Sequence, residues 1–323
     1  MLRKELYTLE GERRTALIEG DRARQLRVED EMHAVLSKYS IVESPDSGAF
    51  KYVQNAHISK DMILAVSRCD RSDLCHPVEG LIDACRKFVS EELRVNLADV
   101  TVVRVQDDYV LHEGRAFSCR DTEHVVVLAP DDGGFVSPDI LVHELGHAAE
   151  FSLRRAKDDD RLLYHHRIFS EAVAHYCQYK YLLRFGTRED RLGAVGSLTK
   201  EYLALCAVLA SIELKQSHMV PATVVRHEVL SDFVDVYGVD SILRILAGYR
   251  GQSLGDIYYS YIEPRYGAIL ALRLLDDADA IRQLALACRE QPVPETLAAM
   301  GIAVDSLFEF DSIDDLLWKF VGE

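Results

Sequence analysis

Apolar residues recur with helical spacing over most of the chain. Residues 2–38 and 77–95 follow this pattern, and so does nearly everything from residue 137 to the end. Gly11 and Gly20 are weak points of the first segment, since glycine lowers helix stability. In the C-terminal part, helix breaks are predicted near Gly186, Pro221, Gly238, Gly251 and the Pro292/Pro294 pair. The pattern predicts a mainly helical protein.

Two short runs have a different period. Residues 101–105 (TVVRV) and 124–130 (HVVVLAP) are rich in β-branched side chains and bounded by polar turns, which is typical of strands. We therefore predict a mainly α (α+β) fold with one small sheet. We divide it into an N-terminal helical arm and lead-in region, residues 1–99, and a core, residues 100–323.

Composition and charge restrict the partners. The chain has 323 residues, 48% of them hydrophobic, with 37 Lys and Arg against 53 Asp and Glu, a net charge of −16. An acidic balance argues against nucleic-acid and anionic-membrane partners, because both select for basic surfaces. The longest apolar run, 202–214, is shorter than a bilayer span and contains Glu213.

The cellular location is predicted from the N-terminal segment and the cysteines. The first residues (MLRKELYTLEGERR) are charged from the third position and are not typical of a signal peptide. Seven cysteines, an odd number without a CxxC pair, are typical of buried thiols in a reducing compartment. We expect a cytoplasmic protein.

The strongest chemical motif is His143-Glu144-Leu145-Gly146-His147. On a helix, residues i and i+4 share a face, so both imidazoles can bind one metal ion. Glu144 lies about 100° around the axis and can reach a metal-bound water without being a ligand. Ser137 as N-cap, with Pro138 in the first turn, indicates where this helix begins. The pattern predicts a zinc (Zn2+) site.

A catalytic zinc site needs a third protein ligand and an open position. One class of such sites has a third His six residues after the second, where this chain has Leu153. The alternative is a Glu on the next helix. Glu171 follows His147 by 24 residues, within an apolar helical pattern, and is the predicted third ligand. His175 lies one turn later, either as a hydrogen-bond partner of a ligand or as a structural residue.

A second metal interpretation is possible for the same residues. Glu144-x-x-His147 is also half of the motif of a carboxylate-bridged di-iron bundle, which requires a second ExxH and two further Glu. The Glu171-to-His175 spacing does not match that second half. The ligand count therefore favours zinc.

Four segments together resemble the thimet oligopeptidase and oligoendopeptidase family of zinc peptidases. They are Arg115–Ser118 with the following strand, HELGHAAEF (143–151), FSEAVAHYCQYKYLLR (169–184) and GDIYYSYIEPRYGAIL (255–270). The resemblance covers about residues 114–272 and implies a helical zinc-peptidase fold with the zinc bound by His143, His147 and Glu171. This chain is shortened relative to that family and divergent from it.

The resemblance also implies a role for the tyrosine-rich segment. In the family a tyrosine of this segment donates a hydrogen bond to the oxyanion, and Tyr258 and Tyr261 are the matching positions. On a regular helix these two would share a face. The chain departs from the family upstream, because no His occurs between residues 228 and 323.

We therefore expect a zinc-dependent metallopeptidase that hydrolyses peptide bonds with a metal-activated water and Glu144 as general base. Strand 124–129, as a sheet edge beside the cleft, would pair with an extended peptide or protein substrate. Two alternatives stay open: a catalytically silent zinc-peptidase fold with a binding role, and a non-proteolytic zinc amidohydrolase. The pattern does not predict the oligomeric state.

Overall fold

The structure is a computed structural model that describes residues 2–39, 48–54, 56–69, 76–77, 80–106, 113–129, 135–163, 166–288, 291–307 and 310–322. The helices are α1 Leu2–Ile18, α2 Arg22–Lys38, α3 Phe50–Val53, α4 Lys60–Ser67, α5 Leu81–Leu93, α6 Pro138–Arg155, α7 Arg167–Phe185, α8 Arg188–Glu213, α9 Pro221–Val224, α10 Ser231–Tyr237, α11 Val239–Ala247, α12 Leu254–Ile257, α13 Gly267–Arg273, α14 Ala278–Ala285, α15 Val293–Ala299, α16 Val304–Leu307 and α17 Phe310–Val321. The strands are β1 His76–Pro77, β2 Thr101–Gln106, β3 Glu113–Ser118, β4 Glu123–Ala129 and β5 Phe135–Val136.

These elements confirm the prediction of a mainly helical protein with a small sheet beside the helix that carries His143. The first predicted helix differs, because residues 2–38 form two helices that pack on each other through Leu2, Leu6 and Leu36. Gly20 adopts a φ of 69°, which ends α1, and the side chain of Asp21 caps α2. The N-terminal arm is therefore a helical hairpin.

The main sheet has the strand order β2-β4-β3. Strand β4 is central, parallel to β2 and antiparallel to β3. The prediction that residues 124–129 form a sheet edge is therefore wrong, since both edges of β4 are hydrogen-bonded within the sheet. The missed strand β3 is an edge strand. Its pattern (EGRAFS) does not alternate clearly between apolar and polar residues, so the sequence alone gave no strand signal.

Both faces of the sheet are covered. Val125 and Val127 point into the main core, which also contains apolar residues of α6 and α7. Val126 and Phe117 form a separate cluster with Leu17 of α1. This double burial explains the uninterrupted apolar run in β4. Strands β1 and β5 form a separate two-residue ladder.

The main core lies between the helices of the C-terminal part and takes in α4 and α5 from residues 1–99. Helix α8 has the length and composition to cross a membrane, and 67% of its most apolar window is buried inside the protein. The apolar side chains of α8 are thus mostly core residues. The six described cysteines form no disulfide bond with one another.

Helices α6 and α7 are in direct backbone contact. A Cβ atom added at Gly146 would lie 2.7 Å from the Cα of Ala174. Because real side chains cannot approach so closely, only glycine at position 146 allows this helix separation. The contact matters for function because α6 and α7 carry the predicted metal ligands.

We expect Gly146→Ala to lower the free energy of unfolding by about 1–3 kcal/mol, because the added methyl group forces the two helices apart. The matched control is Gly11→Ala in α1, where an added Cβ meets no atom within 4 Å. That change should instead stabilise the protein, by about 0.5–1 kcal/mol, since alanine is the better helix former. Denaturant unfolding of both variants tests the difference, and equal effects would contradict the close-packing interpretation.

Candidate metal and active site

Three side chains predicted to bind a metal come together at the contact between α6 and α7. The Nε2 atom of His143 lies 3.5 Å from Oε2 of Glu171, and Nε2 of His147 lies 4.0 Å from Oε1. Among the described residues, this is the one group of at least three His, Cys, Asp or Glu with ligand atoms within 4.8 Å of one another. In a tetrahedral zinc site, ligand atoms bound at 2.0–2.1 Å lie about 3.3 Å apart. The group is therefore close to the size that a metal ion requires.

The donor set also fits a catalytic metal. Two imidazoles and one carboxylate leave the fourth position of a tetrahedral ion open. Oε2 of Glu171 is inaccessible to solvent and accepts no hydrogen bond from the described residues. A buried carboxylate oxygen without a hydrogen bond is costly, and a bound cation would remove that cost. These three residues could hold a divalent metal ion.

A chain of buried polar groups orients His147. Its Nδ1 lies 3.0 Å from the hydroxyl of Ser170, which donates a hydrogen bond of 2.5 Å to Glu150. Glu150 in turn lies 2.9 Å from the guanidinium of Arg154. Because Ser170 gives its proton to Glu150, its oxygen accepts from Nδ1–H of His147. The other ring nitrogen, Nε2, is then the one free for a metal.

The sequence leaves two roles open for His175, and the structure places it against the ligands. Its Nδ1 lies 3.0 Å from Oε1 of Gln178, whose amide donates to Asp139. Its Nε2 lies 3.6 Å from Oε2 of Glu171, and its ring packs edge-on against that of His143. Gln178 and Asp139 thus fix the orientation of His175 beside a predicted ligand.

The two ligand histidines differ in electrostatic environment. Burial, and then the nearby His175 and His147 rings, hold the pKa of His143 well below its usual value. Burial acts in the same direction on His147, but the carboxylates of Glu150, Glu171 and Glu144 outweigh it. They raise the pKa of His147 to about 9. Without a metal, His143 is therefore neutral and His147 is protonated near neutral pH.

Glu144, the predicted general base, lies beside the ligand group, and it lines one cavity together with the three ligand residues. Burial raises its pKa to about 7, against the lowering effect of His147. The neighbouring backbone is that of Gly114 in β3. A Cβ atom added at Gly114 would lie only 2.4 Å from Cγ of Glu144. Glycine at this position gives the Glu144 side chain its space.

The site opens into a cavity of about 680 Å3. Its wall is formed by the ligand residues, by Glu144, by β3 and by the turn after the tyrosine-rich segment; the residues are Arg13, Glu113, Gly114, Arg115, Ala116, Phe117, Ile140, His143, Glu144, His147, Phe151, Arg167, Ser170, Glu171, His175, Gln178, Ala194, Ser197, Ser260, Pro264 and Arg265. A cavity of this size is typical of small-molecule and peptide sites.

The structure does not bring Tyr258 and Tyr261 to this cavity. Residues 258–262 form a π-helical turn instead of a regular helix, so residues three apart no longer share a face. Tyr258 is buried against Phe50 and Tyr259. Tyr261 is 41% exposed and contacts Tyr249. Neither tyrosine is among the described residues of the cavity wall.

Sequence reasoning missed Arg265, which follows the π-turn and reaches the ligand group. Its Nη1 lies 3.7 Å from Oε2 of Glu171, and its Nε lies 4.0 Å from Oε1 of Glu201 on α8. Burial acts to raise the pKa of Glu171, but the charge of Arg265, together with those of His147 and His175, outweighs it and lowers that pKa below its usual value. The signal in the sequence is the arginine between Pro264 and Tyr266, directly after the tyrosine-rich run.

Comparison with known proteins adds two distant structural matches. No protein-family model and no curated protein matches the sequence. A 3.1 Å X-ray structure provisionally named as oligoendopeptidase F has a TM-score of 0.42 and 13% identity, over 99% of this chain and 73% of that one. A crystal structure from Bacillus anthracis str. Ames, also provisionally named as oligoendopeptidase F, has a TM-score of 0.37 and 12% identity, over 98% and 68%. Likeness at this level does not identify an activity.

We expect the apparent zinc affinity to rise about tenfold per pH unit as the pH increases toward about 9, and to level off above it. The sign follows from His147, whose raised pKa means that a proton must leave before Nε2 can bind a metal. His143 and Glu171, whose pKa values are lowered, have already lost their protons in this range. Titration with chelator-buffered zinc, corrected for protonation of the chelator, measures the slope. An affinity independent of pH between about 6.5 and 8.5 would contradict the assignment.

Proposed function

We propose that the chain is a zinc-dependent metallopeptidase in which His143, His147 and Glu171 bind the metal and Glu144 is the general base. The observation that carries this proposal is the convergence of these four side chains, from two helices, on one open cavity. The motif segments in their order support a divergent, shortened relative of the thimet oligopeptidase and oligoendopeptidase family. The substrate is then a peptide or protein, and the expected location stays the cytoplasm.

The choice of zinc rests on the donor set. Two neutral imidazoles and a carboxylate with one open position are typical of catalytic zinc. When bound, zinc supplies a Lewis acid that polarises the scissile carbonyl and lowers the pKa of water. The protein must orient both histidines so that Nε2 faces the metal. For His147, the hydrogen bonds of Ser170 with the ring and with Glu150 provide this orientation.

Glu144 has the properties of a general base. A base works best when its pKa lies near the working pH, and burial raises the pKa of Glu144 to about 7. Its position beside the ligand group lets it take a proton from the attacking water and pass it to the leaving amine. The presence of this carboxylate beside the ligand group supports a hydrolase over a catalytically silent binding protein, which has no use for a base.

Strand β3 supports a peptide substrate. It is hydrogen-bonded to β4 on one side, and no described strand pairs with its other side. Its first five residues, 113–117, line the cavity. An extended peptide can add to such an edge through backbone hydrogen bonds. Strand β3 thus takes the role that the sequence assigned to residues 124–129.

Glu144→Gln is the direct test. The variant should bind zinc normally and lose essentially all turnover, because glutamine keeps the shape of the side chain but cannot accept the proton. The zinc-loaded wild-type protein is incubated with a mixed peptide library, cleavage is followed by mass spectrometry, and metal content is measured for both proteins.

Each outcome separates the candidate functions. Cleavage by wild type alone supports the peptidase. Retained hydrolysis by Glu144→Gln would overturn the role of Glu144. Zinc binding without any cleavage would overturn the peptidase proposal and leave the amidohydrolase and the binding protein.

Gly114→Ala should impair the general base without affecting metal binding. The new methyl group meets Cγ of Glu144, so the carboxylate must move while the three ligands keep their positions. We expect turnover to fall by about 10–10²-fold, since small displacements of a reacting group are costly. Zinc content should stay unchanged. An active variant would show that the Glu144 carboxylate tolerates displacement, and a metal-free variant would show that β3 holds the ligands.

A further inference from the structure

Arg265 lies where the chain leaves the π-turn. Residues Pro264–Tyr266 form a short 3-10 turn that leads directly into α13. At Gly267 the backbone contacts α7 so closely that an added Cβ would lie 2.3 Å from the carbonyl oxygen of Ile168 and 2.9 Å from Cβ of Glu171. This contact places the segment that carries Arg265 directly against α7, which carries Glu171.

The guanidinium of Arg265 is charged and retains hydrogen-bonding capacity. Its side chain is 42% exposed and faces the cavity that contains Glu144. Glu171 and Glu201 hold it at 3.7 and 4.0 Å, which are ion-pair distances and too long for hydrogen bonds. The structure gives no hydrogen bond between its N–H groups and the described residues. An arginine fixed by two carboxylates, with donors left over, is prepared to bind a further oxygen anion.

Two other arginines of the cavity wall, and the two predicted tyrosines, are less suitable for this role. Arg13 is hydrogen-bonded to Glu29 and contacts Glu10 at 3.4 Å. Arg115 is paired with Glu113 at 3.5 Å. The tyrosines that the sequence suggested as donors do not line the cavity, and the chain has no His after His227.

We propose that Arg265 is a catalytic residue that donates hydrogen bonds to the negatively charged oxygen formed from the scissile carbonyl. This inference rests on the proposed peptidase function. Attack by water forms a C–O bond, and the carbonyl π electrons move to the oxygen, where Arg265 stabilises the charge. When the intermediate collapses, the C–N bond breaks, and the leaving nitrogen takes the proton that Glu144 removed from water. Arg265 keeps its own protons throughout.

The experiment compares Arg265→Met and Arg265→Lys with wild type, as full-length zinc-loaded proteins on one peptide that wild type cleaves. For Arg265→Met we expect kcat to fall by about 10–10³-fold with KM within about threefold and zinc content unchanged. Lysine should recover part of the loss, because it restores the charge without the planar fork.

A second measurement does not depend on turnover. A phosphinic peptide of the same sequence mimics the tetrahedral, anionic intermediate. Its affinity, measured by calorimetry, should fall in Arg265→Met by the same factor as kcat/KM, because both report the same contact. The matched control is Arg244→Met, which removes an equal charge from the exposed surface of α11, outside the cavity wall, and should change kcat and affinity by less than about threefold. Thermal unfolding confirms that each variant is folded.

Several results would overturn the inference. Zinc loss in Arg265→Met would show that the residue positions Glu171 instead. A raised KM with unchanged kcat would show recognition of the bound substrate only, and unaltered kinetics would show no role. If wild type binds zinc but cleaves no peptide, the proposed function fails and takes this inference with it. If wild type cleaves and Arg265→Met cleaves equally well, only the inference fails.

Discussion

The site depends on the direct contact between α6 and α7. Two histidines on one helix can share a metal by their spacing alone, but the third ligand must come from elsewhere at a separation of a few ångströms. The contact of Gly146 with Ala174 makes that separation possible. At Gly267, the start of α13 approaches α7 in the same way. Backbone contact replaces side-chain packing at both places. The geometry of the donors is therefore set by rigid helices, which hold functional groups more accurately than loops do.

This contact buries charged groups that would otherwise stay in water. His143, Glu144 and Glu150 are all nearly inaccessible to solvent. Burying ionisable groups is costly unless they are paired, and the buried glutamates here differ in how well they are paired. Glu150 is matched by Arg154, while Glu171 keeps an oxygen that accepts no hydrogen bond from the described residues. In the metal-free arrangement, this oxygen of Glu171 has positive charges nearby but no hydrogen bond, at the point where a cation would bind.

The predicted and the missed parts of the site differ in their physical origin. His143, His147 and Glu144 follow from helix periodicity and a local start signal, and Glu171 follows from the cost of a carboxylate among apolar neighbours. All of these are local properties. The orientation of Tyr258 could not be predicted, because one added residue per turn in a π-helix rotates every following side chain. Strand β3 was missed since its pattern is weak and its strand state depends on pairing with β4.

The roles of Gly114 and Arg265 were hidden for a related reason. A glycine gives no sequence signal for which side chain fills the space it leaves, and Gly114 is 30 residues from Glu144. An arginine after the tyrosine-rich run is visible in the sequence, but its partners in the fold are not. Such residues become interpretable only when the fold brings distant segments together. The irregular backbone from 258 to 266 is itself informative, since π-turns are often retained at functional sites.

Net charge describes the surface of this protein and not its cavity. The chain carries −16, which argues against polyanionic partners at long range. The described residues of the cavity wall nevertheless include four arginines, Arg13, Arg115, Arg167 and Arg265, against three glutamates. One of those glutamates would be neutralised by a bound metal, and Glu144 with a pKa near 7 is only partly charged. The local field in a low-dielectric cleft decides which charge a reaction can develop there. An acidic protein can therefore contain a site suited to stabilising a negative oxygen.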